Sequence, residues 1–461
     1  MKDFVGSHSE WNLGSPGGWD YQRITQIIGK AVWERLAELC NLEHLQLDFD
    51  HPLLHPVHGL VDMLVQAHRS REGSGPGLIA VVAEEETLVE VTENINLARH
   101  IEAIPGLSGV LTSPQELELC QGRVCHQGRP VSVLFVDFNT DVLLSLHRRH
   151  GLDPLLQAVR ERRVINPRGM EPINVKSMFE VLTGPDQGRF HRETVTRTPW
   201  TRRFHPRTTT GPAGEQIQDL LEWTRKHWDQ LVLKPERGYS GKGVMVGRNG
   251  SDPEACIQTA LDQGDYILQE KIPLHVWAED VPVIEGGNVQ LERVQTDFRT
   301  LIGPRSIFGF LGRYGGVPTN VGSGGGVQPM AVVPADIPIK QLASAINQAV
   351  LKCPPSRLKE IVGLQQEMAL DRCFTYLLGP IPIALRPRLV TRDQLAALED
   401  YGRKVWEDCC TLEKMWLGGH LDQMIDIEPD ELDIARLDPW HGSPAVIASD
   451  GLFSFGAHPE P

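Results

Sequence analysis

The 461-residue chain is long enough for roughly three domains of about 100–200 residues each, so it can bury cores without disulfide staples. With 41% hydrophobic and 23% charged residues it has the composition of an ordinary soluble globular protein, and no apolar run approaches the roughly 20 residues of a membrane-spanning helix. Lys and Arg number 45 against 60 Asp and Glu, and the resulting charge of -15 repels nucleic-acid backbones and anionic membranes, which argues against both as partners.

The first residues, MKDFVGSHSEWNLGSPGG, lack the apolar core of a signal peptide, so a cytoplasmic protein is expected. The eight cysteines (Cys40, Cys120, Cys125, Cys256, Cys353, Cys373, Cys409 and Cys410) form no CxxC pair and no zinc spacing. Free thiols are the expectation.

In chain order, helical periodicity over residues 23–39 is followed by a glycine-rich loop at 73–77 and a buried strand at 77–83 (GLIAVVA). A helix over 88–100 and a strand at 132–137 (SVLFVD) come next. Strands alternating with helices predict a doubly wound parallel sheet, hence an α/β fold. Residues 164–169 (VINPRG) read as a strand and turn, 176–182 as a short helix, and 214–228 as an amphipathic helix. Strands and glycine loops dominate 231–326. Helices are expected at 339–351, 356–378 and 391–417, and a last strand at 445–455. No internal repeat or low-complexity tract is present.

Chemistry concentrates in 231–247, LVLKPERGYSGKGVMVG. A buried strand carries Lys234, and a loop with Gly238, Ser240, Gly241 and Gly243 leads into a second strand. Glycines let backbone N–H groups approach a polyphosphate, and a strand-borne lysine supplies fixed positive charge. The spacing is neither a GxxxxGK[ST] loop nor GxGxxG on a strand-to-helix turn. The strand YILQEKI at 266–272 ends in polar residues, so that Gln269, Glu270 and Ile272 suit an adenine and ribose.

Asp297-Phe298-Arg299 then follows, with Arg313 and the run NVGSGGG from Asn320. In this order, strand lysine, glycine hairpin, QE strand, DxR, second arginine and N-x-x-x-G-G loop resemble the ATP-grasp superfamily, in particular ligases similar to glutathione synthetase. The resemblance implies an ATP-dependent carboxylate–amine ligase working through an acyl phosphate, with ATP and Mg²⁺ as cofactors. Arg299 and Arg313 would then hold the acyl phosphate, since bidentate guanidinium groups suit concentrated negative charge. Asn320 would line the same pocket. Asn174-Val175-Lys176 resembles the family's earlier lysine segment, with Lys176 reaching the α-phosphate, and Thr198-Pro199-Trp200-Thr201 resembles its P-x-T segment.

The family's E-x-N metal strand does not follow the glycine run. FVGSHSEWNLGSP at 4–16 resembles it instead, with Glu10 and Asn12 as metal ligands, and the strand around Asp450 resembles its hairpin partner, with Asp450 as a further ligand. Such an order is similar to the circularly permuted ATP-grasp group that includes glutathionylspermidine synthase. The expected organisation is a metal strand in 1–20, a Rossmann-like domain in 21–165, ATP-grasp lobes in 166–335, and a mainly helical region in 336–461 that returns to the core. Substrates would be small-molecule or peptide carboxylates and amines. Two other uses of the same clamp stay open at this point, a phosphotransferase and a non-catalytic nucleotide-binding scaffold. Trp11, Trp19 and Trp200 fit either a cleft wall or a core. If the chain self-associates, a homodimer is the expectation, dimers being the commonest soluble oligomers.

Overall fold

A computed structural model of the chain describes residues 4–238, 241–248, 252–272, 278–285, 288–315, 325–334, 337–374, 383–425 and 427–455. Its architecture is mixed α/β, built on three larger sheets. In the first, Leu107–Thr112, Gly77–Val82, Arg129–Val136 and Val164–Ile165 are parallel neighbours. Side chains alternate across a strand, so Leu78, Ala80 and Val82 pack with helices Thr140–His150 and Asp153–Arg160. Ile79 and Val81 pack on the other face, against Pro56–Glu72 and Thr92–Glu102. Burial on both faces explains the near-continuous apolar run GLIAVV. The expected doubly wound sheet is there, with an addition: the antiparallel hairpin Leu117–Cys120 and Arg123–His126 extends Arg129–Val136.

The second sheet is small and antiparallel, in the order Met245–Val246, Leu231–Pro235, Tyr266–Glu270, Thr201–Arg203. Helices Leu220–His227 and Glu254–Gln263 contribute Leu220, Ile257 and Ala260 to the core beneath it. The first of these helices is shorter than the amphipathic pattern predicted. Asp219 caps it by accepting N–H bonds from Leu221 and Glu222, at 2.8 and 3.2 Å, and the residues before it pair as the two-stranded hairpin Thr209–Thr210 and Gln216–Ile217.

The third sheet is antiparallel and unites distant parts of the chain. Phe4–Asn12 pairs with Ile447–Phe455, which pairs with Asn288–Ile302, then Ile307–Gly315 and Gly326–Val327. The long strand Asn288–Ile302 shares one edge between two partners, Ala278–Glu285 along residues 288–295 and Ile447–Phe455 along 298–302. Helix Arg392–Leu417 supports this sheet. It starts at Thr391, whose hydroxyl and backbone exchange hydrogen bonds with Gln394 in a capping box. Leu395, Leu398, Tyr401 and Val405 then fall on its buried stripe. Tyr401 ties the helix to the Phe4–Asn12 strand: its hydroxyl lies 2.7 Å from His8 Nδ1 and 2.8 Å from Ser449 Oγ, while His8 Nε2 lies 2.7 Å from Thr198 Oγ1. Burial, reinforced by Arg197, lowers the His8 pKa to about 3, so this imidazole is a neutral structural link.

Other helices depart modestly from the sequence reading. The stretch 88–100 begins as a helix only at Thr92, 176–182 only at Met178, and 356–378 is helical over Pro355–Asp371. Pro429–Leu437, for which no separate helix was expected, is helical with proline at its start, where the missing N–H costs nothing. One expectation fails outright: Cys40 and Cys353 are paired as a disulfide rather than free. Packing of helix Trp19–Cys40 against Ile339–Leu351 and Pro355–Asp371 joins these cysteines across 313 residues, a contact that no local spacing reveals. Among the described residues no helix is long and apolar enough to cross a membrane.

Candidate active site

A cavity of about 430 Å³ lies between the small sheet and the third sheet. Its volume falls within the range of small-molecule sites. From the small sheet, Leu231–Pro235 turns Val232 and Lys234 to the same face, and Lys234 Nζ donates to Gln269 Oε1 at 2.7 Å and to Ser9 O at 3.4 Å. Burial lowers the Lys234 pKa to about 8, and Lys176 adds to this against the opposite pull of Glu10 and Asp450. Val232, Val244 and Val246 give the cavity an apolar wall, next to Gln269, Glu270, Lys271 and Ile272.

The loop that follows Lys234 requires its first glycine. Gly238 has φ of +125°, a conformation costly for any residue with a Cβ. Its carbonyl accepts a 2.9 Å bond from Lys176 Nζ. Lys176 precedes helix Met178–Leu182, and its own N–H donates to Glu236 O at 3.0 Å. Its ammonium is also 3.5 Å from Glu10 Oε2. Two lysines from different segments thus meet at one end of the cavity.

The third sheet supplies a row of charge. Register places Glu10 opposite Asp450, and Asp450 opposite Arg299, on three adjacent strands. Arg299 donates to both Asp450 oxygens at 2.7 Å. Two residues back on the same face, Asp297 receives both bonds of Arg313, each 2.7 Å, and Arg313 is also 3.7 Å from Asp450. Burial alone would raise the Asp450 pKa, but Arg299 and Arg313 hold it below the usual carboxylate range. Burial likewise works against the Arg313 cation, which Asp297 and Asp450 nevertheless keep firmly protonated.

Most residues singled out from sequence meet here. Glu10, Lys176, Lys234, Gly238, Gly241, Gln269, Glu270, Ile272, Arg313 and Asp450 line the cavity. Gly243, with φ of +73°, shapes the loop rather than the wall. Arg299 lies behind Asp450 and anchors Gly17 O at 3.0 Å, so its contact with the cavity is indirect. Asn12 is opposite Ala448, away from the lining, and its buried Nδ2 has no partner among the described residues. Ser240 and Asn320 lie outside the described residues. Trp11, Trp19 and Trp200 are core residues. Among the described residues no three His, Cys, Asp or Glu side chains are grouped to hold a metal. Sequence reading gave no role to Gln295 or Asp297, although both follow from period-2 alternation back from Arg299.

No protein-family model and no curated protein matches the chain. Among the solved structures similar to parts of the chain are two with TM-scores of 0.24 and 0.30. One is a RimK domain ATP-grasp protein from Sphaerobacter thermophilus, at 16% identity and a TM-score of 0.24, over 46% of this chain and 70% of that one. Another is the macrocyclase MdnC from Microcystis aeruginosa, bound to its precursor peptide MdnA, at 10% identity and a TM-score of 0.30, over 62% and 83%.

Proposed function

We propose that this chain is an ATP-grasp carboxylate–amine ligase, which phosphorylates a carboxylate with ATP and passes the acyl group to an amine. The observation that carries the reading is the convergence of Lys176 and Lys234, from separate segments, on a cavity whose lining also holds Glu10, Asp450 and Arg313. Cations on one wall suit a triphosphate. The valines and the Gln269–Ile272 segment suit a planar base.

In this reading Lys234 and Lys176 bind the phosphates, and the glycine loop closes over them, excluding water that would hydrolyse an acyl phosphate. Arg313, fixed by Asp297, presents its guanidinium to the phosphorylated carboxylate without reorganising. The amine nitrogen forms the new C–N bond as the C–O bond to phosphate breaks, and the proton it sheds leaves with the phosphate. Catalysis is then mostly positioning and charge stabilisation.

Glu10 and Asp450 are the carboxylates that would hold a Mg²⁺, one or two protein carboxylates being usual for that ion. Glu10 is the freer of the two, Asp450 being held by arginines. Bound there, the ion would neutralise charge building on the transferred phosphoryl group. The circularly permuted order is part of the proposal. Its support is the antiparallel pairing of the Glu10 strand with the Asp450 strand, a hairpin partnership between residues far apart in sequence.

The test is ADP and phosphate release with Mg-ATP over a panel of amino acids and small peptides, for the natural chain and for Lys234→Ala and Glu10→Gln. Acid- and amine-dependent release, abolished in both variants, is the expected result. A phosphorylated acid that accumulates in the presence of every amine would turn the reading into a phosphotransferase.

A further inference from the structure

Beside the Asp297–Arg313 pair, the cavity wall carries a polar side chain, Gln295, whose shielded oxygen has no hydrogen-bond partner among the described residues. Gln295 precedes Asp297 by two residues and Arg299 by four, on the same face of Asn288–Ile302, and it lines the cavity. Its Oε1 is shielded from solvent and has no hydrogen-bond partner among the described residues. The reason lies in the register. Across the sheet Gln295 faces Gly315, which has no side chain to offer, and the carboxylate of its neighbour Asp297 is taken by Arg313. Leaving a shielded acceptor without a donor is unfavourable, so such groups in a folded protein commonly await a ligand or water.

We infer that the Gln295 carbonyl receives an N–H of the amine substrate, making Gln295 a positioning and specificity residue for a primary amine. This rests on the ligase reading above. Residues two apart on a strand are separated by about 6.5–7 Å, so Gln295 stands roughly one substrate group beyond the Asp297–Arg313 pair. That is where a nucleophile must wait to reach a carbonyl carbon held at Arg313. An amide carbonyl is suited to this task because it accepts one N–H yet, unlike a carboxylate, adds no formal charge that would keep the nitrogen protonated. The nitrogen lone pair stays free to form the C–N bond. Only an amine with a second N–H can be held in this way and still lose a proton to the departing phosphate, which selects primary over tertiary amines and disfavours secondary ones.

Hydroxylamine, methylamine and dimethylamine serve as nucleophile probes, with saturating Mg-ATP and whichever panel acid gives hydroxamate. If no acid yields hydroxamate or ADP with the natural chain, the ligase reading is overturned and this inference with it. If turnover is found, Gln295→Leu should raise the KM for methylamine at least tenfold while the KM for ATP moves less than twofold, and the preference for methylamine over dimethylamine should shrink. Gln295→Glu keeps an acceptor at the same reach and should restore part of the methylamine KM, with an optimum moved to higher pH. Equal changes in the KM for ATP and methylamine, or a Gln295→Glu variant weaker toward methylamine than Gln295→Leu, would overturn the role for the carbonyl while leaving the ligase reading standing.

Discussion

The two walls of the cavity hold their charge in opposite ways. On the small sheet, Lys234 is buried with only neutral oxygens in hydrogen-bond range, and its pKa falls to about 8. On the third sheet, Arg299 and Arg313 are each matched by a bidentate carboxylate, with all four bonds at 2.7 Å. The difference separates two kinds of site-building. The first wall is incomplete until an anion arrives, so its charge is available for binding; the second is electrostatically complete and serves as a rigid reference against which substrate is placed.

The largest test of that contrast is to break the complete wall. Asp297→Ala leaves the Arg313 guanidinium buried without its main partner and should cost ~3–5 kcal/mol of folding stability, read from urea unfolding. A loss under 1 kcal/mol would mean that the pair is not a structural unit. Removing charge from the incomplete wall should behave differently. Lys234→Met should weaken ATP binding by about 1.5–3 kcal/mol, measured calorimetrically, and leave stability equal or higher, because a desolvated ammonium is relieved. Should Lys234→Met instead unfold the protein, the two walls are not distinct in the way described.

A third outcome concerns pH. Lys234 is charged below about pH 8, so affinity for ATP should fall as pH rises through that value, whereas Lys234→Arg should bind with little change up to pH 9. A fall of the same size in the arginine variant would assign the titration to another group. The smallest effect is expected in the loop between the walls. Gly238→Ala, at φ of +125°, should cost ~1 kcal/mol of stability and raise the KM for ATP.

How much of this was legible in the sequence depends on range. This part of the cavity could be read locally: Lys234 and Gln269 lie on neighbouring strands and the glycines in the loop that follows Lys234, where strand alternation and glycine chemistry determine what faces what. The parallel sheet was legible for the same reason, since apolar runs alternate with helices. The amphipathic stretch 214–228 misled because the pattern continues past Asp219, while the cap that starts the helix depends on a single side chain. Glu10 and Asp450 were found only through resemblance to a known motif order, and nothing in either segment says that they are neighbours.

Composition and period therefore determined the class of fold and the placing of Lys234 beside its glycine loop and the Gln269 strand, because these depend on residues within a few turns or strands of one another. Tertiary structure alone decided that Asp450 is held by Arg299, that Arg313 answers to Asp297, that Cys40 meets Cys353, and that Gln295 faces a glycine. Each of these is a matter of register or packing between segments distant along the chain or across a sheet, and in the strand pairs a one-residue slip would turn the paired side chains to the other face.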